Sequence, residues 1–351
     1  MINKILSNKS NIIFTAYGRN GIFMFLKNIS HSLNDIILVP SYVCGEEAQA
    51  ILNSGFSIKP YHIKIKKLEI NINDIKNKLN KNKNIKGILI THFFGFPQNN
   101  IEKLKIIAKN KNIFIIEDCA HCLESRTENG KELGSFGDVS IFSLRKFLSI
   151  PHGGVVIINN KLFKNVGNFN KMPSEAISVE KKIYRKIKNG KIKPGTTIYD
   201  IYKSLKIQIK KYGPRLEKWG GYSLGISSFA ANKIKKTNFQ KLIIYRKNIY
   251  KKYVAFFKQY KFISIEPVFS EYYSFVTPLF FPIIYKGKNI KKIREKLKEN
   301  KSVIRPFWEH DYKMINKKLF PEVKFLKNNL IILPIINNTK KIFDIINKVF
   351  E

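Results

Sequence analysis

The stretch Ile141–Gly154 reads IFSLRKFLSIPHGG and sets one lysine, Lys146, between two apolar runs. Lys146 stands three residues after Ser143 and seven residues before Gly153, the first of two adjacent glycines. Most other lysines of the chain stand among polar neighbours. Apolar surroundings disfavour the charged form of an amine, and a neutral amine is a usable nucleophile. The stretch therefore makes Lys146 a candidate for covalent chemistry.

The segments around this stretch alternate between strands and helices. Helices are expected after Gly18 and at 46–56 and 100–112, and strands are expected at 35–40, 86–95, 112–121, 138–144 and 153–160. This alternation predicts an α/β fold with a mostly parallel sheet that helices cover on both faces. Polar residues at the carboxyl ends of such strands point into the ligand crevice, and His92, Asp118 and Ser143 lie at such ends.

The chain after residue 160 has a different character. Residues 161–220 are rich in lysine and have little strand pattern, although 198–211 has the apolar spacing of an amphipathic helix. Strands are then expected at 278–286, 302–308 and 329–335, and helices at 228–257 (one or two), 289–300 and 339–350. A chain of 351 residues is long for a single core. We expect a large domain over 1–225, with 161–220 as a variable insert, and a smaller α+β domain over 226–351.

The formal net charge of +39 is extreme for a chain of this length. Clustered lysine and arginine would indicate nucleic-acid binding. Here lysine is spread along the whole chain, and asparagine and isoleucine are similarly over-used, a bias that an AT-rich genome produces without any binding function. We therefore expect no nucleic-acid partner. The charge favours anionic substrates or a weak association with an anionic membrane surface. A basic polyanion-binding protein without catalysis stays an alternative.

The sequence also bears on the compartment. No apolar run approaches the ~18 residues that span a bilayer, and the first residues, MINKILSNKSNIIF, show no signal-peptide core followed by a cleavage site. Three cysteines do not make a disulfide framework, which agrees with a reducing environment. We therefore expect a cytoplasmic protein.

Asp118 ends the apolar run 113–116, and His121 follows three residues later. An acid after a strand commonly caps the next helix. A partly buried carboxylate at this point is also suited to hold the proton of a cofactor's pyridine nitrogen. The residues alone leave both interpretations of Asp118 open, and they leave His121 between a structural and a functional role.

Cys119 and Cys122 bracket His121 with the C-x-x-C spacing of redox pairs and zinc sites. The sequence has no second cysteine pair to complete a zinc site, and no Trp or Pro flanks the motif as in a redox centre. We therefore expect neither redox chemistry nor a metal site here.

Four features follow one another along the chain: a glycine turn into a helix at Gly18, EDCAH at 117–121, Gly-Asp before Phe-Ser at 137–143, and Lys146 before the glycine pair. This order resembles the DegT/StrS-type family of pyridoxal-phosphate-dependent sugar aminotransferases. The matching segments are AYGRNG, VPSYVC, THFFG, EDCAHCLES, GSFGDVSIFS and LRKFLSIPHGGVV. The resemblance implies an aspartate-aminotransferase-like fold (PLP fold type I), the cofactor pyridoxal 5'-phosphate, and a homodimer with sites between its subunits.

The resemblance also implies three catalytic roles. Lys146 would bond covalently to the cofactor aldehyde and would then move the substrate proton. Asp118 would hold the proton of the pyridine nitrogen. His121 would bond the phenolic oxygen of the cofactor.

Further residues would bind the cofactor without reacting. The resemblance assigns the phosphate to Ser143 and to the glycine turn at Gly18 and Arg19. It expects an aromatic residue against the cofactor ring, where Cys44 occupies the usual place and Tyr42 lies near it. The chain departs from the family in having three residues, rather than five, from the serine to the lysine. It also shows no clear counterpart, around 220–227, of the asparagine that a partner subunit lends to the phosphate.

The implied activity is the transfer of an amino group from an amino acid, with glutamate expected as the donor. The implied acceptor is a keto sugar attached to a nucleotide, in the synthesis of surface glycans. Relatives that replace the lysine by histidine are dehydratases, and Lys146 argues against that variant. A cofactor-bearing fold with another reaction stays the alternative.

Overall fold

A computed structural model describes residues 2–7, 11–148, 152–163, 167–171, 221–299, 315–337 and 339–350, together with Ile150 and a few isolated positions between 172 and 190. The predicted helix at 198–211 and the predicted strand at 302–308 lie outside the described residues. Among the helices of the described part, none is both long and apolar enough to cross a membrane.

The described part of the first 160 residues contains nine strands. In chain order they are β1 (Ile12–Thr15), β2 (Ile36–Pro40), β3 (Ser57–Tyr61), β4 (Ile63–Lys64), β5 (Glu69–Ile70), β6 (Ile85–Thr91), β7 (Phe114–Cys119), β8 (Val139–Ser143) and β9 (Gly154–Ile158). Seven of them form one central sheet in the order β1-β9-β8-β7-β6-β2-β3, while β4 and β5 pair with each other.

The central sheet is mostly parallel, which confirms the predicted α/β class. Neighbours from β3 through β8 run parallel, whereas β9 is antiparallel to both β8 and β1. The segment 144–153 between β8 and β9 is too short for the crossover helix that parallel neighbours need. The strand expected at 153–160 is therefore present but reversed in direction.

Helices cover both faces of this sheet. They are α1 (Ile2–Leu6), α2 (Gly18–Lys27), α3 (Gly45–Asn53), α4 (Ile72–Lys81) and α5 (Ile101–Asn110). Successive strand residues point to opposite faces. In β6, Ile88 and Ile90 belong to the hydrophobic cluster that contains Leu104 of α5, whereas Leu89 belongs to the cluster that contains Phe25 of α2. The predicted two-sided burial of the sheet is thereby observed.

A second, antiparallel sheet lies in the C-terminal part of the chain. It consists of β10 (Ile265–Pro267), β11 (Phe280–Tyr285) and β12 (Leu330–Pro334). The helices described there are α6 (Ser228–Lys235), α7 (Phe239–Gln259), α8 (Ile290–Glu299), α9 (Pro321–Asn329) and α10 (Thr339–Phe350). This small sheet agrees with the predicted fold class, and the domain boundary at 225/226 stays a prediction.

The predicted helical segment 228–257 forms two helices because two side chains cap separate helix starts. Ser227 Oγ accepts the backbone N–H of Ala230 at 3.0 Å before α6, and Asn238 Oδ1 accepts that of Lys241 at 2.9 Å before α7. A cap residue takes a non-helical backbone conformation, so Asn238 interrupts the helical run.

The glycine pair holds the start of α2 against β9. The backbone N–H of Gly153 donates to the carbonyl of Ala16 at 2.9 Å. A Cβ at Gly154 would lie 2.7 Å from the backbone nitrogen of Gly18, and it would also overlap the carbonyl carbon of Tyr17. Only glycine permits this approach of two backbones. The turn before α2 and the segment that carries Lys146 are therefore fixed to the same strand.

The C-terminal part also supports that segment. Arg246 of α7 is buried, and its guanidinium lies 5.1 Å from the centre of the Phe147 ring, one residue beyond Lys146. The same guanidinium donates from Nε to the carbonyl of Pro278 at 2.8 Å and from Nη2 to that of Leu279. Arg246 therefore ties the residue after Lys146 to the chain that enters β11.

Candidate active site

Three neighbouring parallel strands end at the same edge of the central sheet. Thr91 at the end of β6 lies opposite Asp118 in β7, and Cys119 of β7 lies opposite Phe142 of β8. His92, Asp118 and Ser143 all lie at these strand ends, and all three are buried. This edge is where a ligand crevice was expected.

Lys146 lies in a single helical turn, Leu144–Lys146, that directly follows β8. The turn is held by the backbone N–H of Leu144, which donates to the carbonyl of Gly153 at 2.8 Å. Burial lowers the pKa of Lys146, and the nearby Asp118 opposes that shift by favouring the ammonium form. The sequence-predicted lysine and aspartate are thus neighbours in space, although 28 residues separate them in the chain.

Asp118 is almost fully buried, and its Oδ1 accepts the backbone N–H of Ala120 at 2.9 Å. No helix occurs in residues 120–138, all of which the structure describes. The helix-cap interpretation of Asp118 is therefore wrong. The carboxylate instead turns the chain just after β7 and faces the lysine.

His121 is buried beside the same group of residues. Its Nδ1 accepts the backbone N–H of Phe94 at 3.1 Å, and its ring lies stacked 5.8 Å from the Phe94 ring. Burial, with a further contribution from the charge of Lys146, holds the pKa of His121 well below its usual range. Because Nδ1 is an acceptor in a neutral ring, the proton resides on Nε2, which is then a hydrogen-bond donor.

The two candidates for the ring-stacking residue have different surroundings. Tyr42 is buried with its ring 6.1 Å from that of Phe93, so it packs within the core. Cys44 stands at the N-terminal end of α3. Burial and the nearby Glu47 raise the pKa of the Cys44 thiol to about 12, and Lys146 acts on it in the opposite direction. Cys44 is therefore a neutral thiol next to the lysine, and the stacking assignment stays a prediction.

Glu47 is a residue of this site that sequence reasoning missed. It lies in the first turn of α3, is buried, and stands within the electrostatic reach of Asp118 and Lys146. Burial raises the pKa of Glu47 well above its usual value, and Asp118 raises it further. Glu47 follows Cys44 by three residues, about one helical turn, and this spacing is the signal that could have pointed to it.

A cluster of positive groups lies at the start of α2, which begins at Gly18. The guanidinium groups of Arg19 and Arg145 lie 4.8 Å and 5.5 Å from the centre of the Tyr17 ring. Arg145 Nε is buried and meets no hydrogen-bond acceptor among the described residues. Ser143, also buried, precedes Arg145 by two residues. A helix start beside two guanidinium groups is suited to an anion, and Arg145 was not singled out from the sequence.

Glu117, the neighbour of Asp118, anchors the chain on the other side of β7. Its carboxylate accepts the backbone N–H groups of Gly134, Phe136 and Gly137 at 2.6–2.8 Å, and it pairs with His92 Nε2 at 2.9 Å. Burial alone would raise the pKa of Glu117, but the hydrogen bonds from His92 and the backbone outweigh it and hold this pKa below its usual value. Glu117 is therefore an ionised, fully hydrogen-bonded carboxylate.

His92, Glu117 and Cys119 bring their donor atoms within 4.8 Å of one another. The contacts within this cluster are those of a hydrogen-bond network. His92 Nδ1 accepts the backbone N–H of Gln98 at 3.1 Å, while Nε2 faces Glu117. Cys119 and Cys122 are both buried thiols whose pKa values are raised, chiefly by burial. These thiols are poor metal ligands and nucleophiles in that state.

Comparison with known proteins bears on this site. A sequence model of the DegT/DnrJ/EryC1/StrS aminotransferase family matches residues 5–192, more than half of the chain. The GDP-perosamine synthase of Escherichia coli O157:H7 is 31% identical over 146 residues, which are 41% of this chain and 39% of that protein. The UDP-4-amino-4,6-dideoxy-N-acetyl-beta-L-altrosamine transaminase of Campylobacter jejuni is 28% identical over 159 residues, 45% of this chain and 39% of the relative. The matched part thus spans about two fifths of these curated relatives.

The fold has counterparts among solved structures. A PLP-dependent aminotransferase structure from Bacillus cereus superposes with a TM-score of 0.68 at 14% identity, covering 100% of this chain and 88% of that one. The expected PLP fold type I is thereby confirmed. The expected cofactor, pyridoxal phosphate, is confirmed by the match to the aminotransferase family.

The described residues fit this cofactor. Lys146 and Asp118 lie within electrostatic reach of each other, and they would serve opposite ends of the cofactor ring, an amine for the aldehyde and a carboxylate for the ring nitrogen. The buried Nε of Arg145 has no acceptor in the described part of the chain, and a phosphate group beside the start of α2 would supply one.

Replacing Glu117 by glutamine should destabilise the protein by about 3 kcal/mol, because a buried amide cannot accept all of the N–H groups that the carboxylate accepts. The lowered pKa means that this stabilisation is present above the ordinary glutamate range and is lost as the pH falls through the lowered value. The advantage of wild type over E117Q should therefore shrink in acid. Urea unfolding over a pH series measures this difference in the free energy of unfolding.

The matched control is Glu102→Gln, which removes a half-exposed carboxylate paired with Lys131. It should cost less than about 1 kcal/mol. A similar small loss in both variants would contradict the anchoring role of Glu117.

Proposed function

Because this chain belongs to the DegT/DnrJ/EryC1/StrS aminotransferase family, we propose that it transfers an amino group from an amino acid to a keto sugar carried by a nucleotide. Glutamate is the proposed donor, and the product serves the synthesis of surface glycans. The observation that carries the proposal is that Lys146 and Asp118, both near the carboxyl edge of the parallel strands, lie within electrostatic reach of each other. The names of the matched relatives support the acceptor class.

When bound, pyridoxal phosphate supplies an aldehyde that condenses with amines and a ring that withdraws electrons from the reacting carbon. Lys146 provides the amine, and its lowered pKa increases the fraction that is neutral and able to attack. The same amine is placed to take a proton from the substrate carbon and to return it.

The other residues of the site hold and orient the cofactor. Asp118 keeps the proton on the ring nitrogen, because its carboxylate is buried and charged groups attract strongly there. His121 donates from Nε2 to an oxygen of the cofactor, in the neutral state that its lowered pKa maintains. Arg19, Arg145 and the start of α2 neutralise a phosphate.

The net charge of +39 supports a substrate that bears a diphosphate, because a positive field attracts such an anion and speeds its encounter. We also propose that the active form is a homodimer, with residues of the 185–225 region near the partner's cofactor. Most of that region lies outside the described residues. Light scattering at assay concentration measures the oligomeric state, and a fully active monomer would refute the proposed homodimer.

The lysine assignment has a direct test. Borohydride reduction of the cofactor-loaded protein, followed by peptide mapping, should place the label on Lys146. Lys146→Ala should lose the visible absorption of covalently bound cofactor, because no other amine is expected at that place. The exposed Lys161 provides the control, since Lys161→Ala should retain the absorption. Label on another lysine would overturn the assignment.

Asp118→Asn tests the role of the carboxylate. The asparagine can still accept the Ala120 N–H through its carbonyl, so the fold and cofactor uptake should persist. It cannot supply the charge, and the single-turnover reaction with glutamate should slow by about a hundredfold or more. Rapid-mixing absorption measurements give this rate.

Asp138→Asn is the matched control for that variant. Like Asp118, Asp138 accepts a backbone N–H, but its donor is Ile115 at the opposite end of β7, at 2.7 Å. Asp138→Asn should leave the single-turnover rate near that of wild type. An Asp118→Asn rate within about tenfold of wild type, a barrier change of only ~1.4 kcal/mol, would remove the carboxylate from the mechanism.

A further inference from the structure

A buried glutamate from the C-terminal part of the chain reaches the ends of two strands of the central sheet. Glu322 lies in the first turn of α9, and its side chain is only 7% exposed. Its Oε1 lies 2.7 Å from Ser41 Oγ and 3.0 Å from His62 Nδ1. A carboxylate oxygen can only accept, so the hydroxyl and the ring nitrogen both donate to it. One carboxylate oxygen thus joins α9 to the residues that follow β2 and β3.

Both donors are also held by backbone contacts of their own. The backbone N–H of Ser41 donates to the carbonyl of Tyr61 at 2.8 Å, at the end of the pairing of β2 with β3. The backbone N–H of His62 donates to Asp74 Oδ2 of α4, also at 2.8 Å. A pair of donors at a fixed spacing binds a carboxylate oxygen at low cost, because little further ordering is needed. Ser41 and His62 thus form a prepared receptor for Glu322.

Apolar contacts surround these hydrogen bonds. Phe320 and Val323, which lie close to Glu322 in the chain, belong to the hydrophobic cluster that contains Val43. The centre of the Phe320 ring lies 4.7 Å from that of the His62 ring. A buried carboxyl group is costly unless it is hydrogen-bonded, and a hydrogen bond weakens steeply when its distance or angle is poor. The apolar contacts therefore bury the start of α9 at this place, and Glu322 restricts it to one position.

The segment that begins at Ser41 leads to the candidate active site. Ser41 follows β2, which runs parallel to β6 and ends at the same edge of the sheet. Cys44 comes three residues later, directly before α3. Burial raises the pKa of the Cys44 thiol, and the charge of Lys146 opposes this shift, so the two groups are within electrostatic reach. Only three residues thus separate the contact of Ser41 with Glu322 from a residue of the site.

We propose that Glu322 is a positioning residue, which holds residues 41–44 at the edge of the candidate active site by binding Ser41 and His62. These three residues form a clamp. Through the clamp, the C-terminal part of the chain fixes the wall of the site near Lys146. The clamp itself stands on the contacts above, whereas its effect on the cofactor rests on the proposed function.

The first test uses the protein without cofactor. Of the three cysteines, Cys119 and Cys122 are buried and Cys44 is partly exposed, so Cys44 reports on the clamped segment. In Glu322→Ala the segment is released and the thiol gains water, which favours its reactive thiolate form. Labelling of Cys44 by N-ethylmaleimide, a neutral reagent, should then be about tenfold faster than in wild type. Peptide mass spectrometry gives the rate at each cysteine.

Glu322→Gln separates the contacts of the clamp from its charge. A glutamine carbonyl oxygen accepts two hydrogen bonds, so this variant can still bind Ser41 and His62. Its rate of labelling at Cys44 should therefore stay within about threefold of wild type.

Two controls separate a local release of the segment from a general loss of stability. Lys324→Ala changes an exposed side chain of α9, and Tyr250→Phe removes a buried hydrogen bond to the carbonyl of Phe269. Tyr250→Phe should lower the urea midpoint of unfolding, because a buried acceptor loses its donor. Both variants should nevertheless label Cys44 at the wild-type rate.

Two outcomes would overturn the clamp. One is a wild-type labelling rate in Glu322→Ala, and the other is equal acceleration in Glu322→Ala and Glu322→Gln. If Glu322→Ala does not fold, Ser41→Ala takes its place, since it removes one donor and should accelerate labelling about threefold. A wild-type rate in Ser41→Ala would then overturn the proposal.

The second test uses the protein loaded with pyridoxal phosphate. Release of the cofactor, followed by visible absorption, should be about fivefold faster in Glu322→Ala, because a loosened wall holds a ligand less well. Glu322→Gln should release it near the wild-type rate. Equal release from Glu322→Ala and wild type would overturn the effect on the cofactor. A protein that takes up no pyridoxal phosphate would contradict the proposed function, while the labelling of Cys44 would still decide whether the clamp acts.

Discussion

The ionised carboxylate of Glu117 is the interaction on which the site depends. It gathers three backbone N–H groups from 134–137 and the His92 ring around the end of β7. These contacts join the segments that follow β6 and precede β8 to the strand between them. Because successive strand residues point to opposite faces, the same placement turns Asp118 toward Lys146. A buried charge in a structural network thus fixes the position of the next residue, Asp118, for which we propose a role in the reaction.

Much of this architecture could be predicted from the sequence. Alternating apolar runs predicted the mostly parallel sheet, and the strand ends predicted that His92, Asp118 and Ser143 would lie at the ligand crevice. The direction of β9 could not be predicted in the same way, because it follows from the length of the connection rather than from the apolar pattern. The break between α6 and α7 depends on Asn238, a cap whose residue type is also common inside loops.

The less predictable part of the site is its charge balance. Glu47 and Arg145 were not singled out, since each is one of many charged residues in the chain and becomes distinctive only when buried. Burial favours the neutral form of a titratable group, and hydrogen bonds can oppose this effect. It favours the neutral amine in Lys146, the neutral ring in His121 and the neutral thiol in Cys44, while Glu117 stays charged through its hydrogen bonds. These states depend on neighbours from distant parts of the chain.

The contacts of Arg246 have a consequence for how the sequence can diverge. Its guanidinium reaches the Phe147 ring but is held by the carbonyl groups of Pro278 and Leu279. A backbone carbonyl is supplied by any residue type. The side chains of the segment that accepts these hydrogen bonds can therefore change while Arg246 stays in place against Phe147. Such changes in sequence would preserve the structural similarity over the whole chain, whereas the sequence match to the family ends at residue 192.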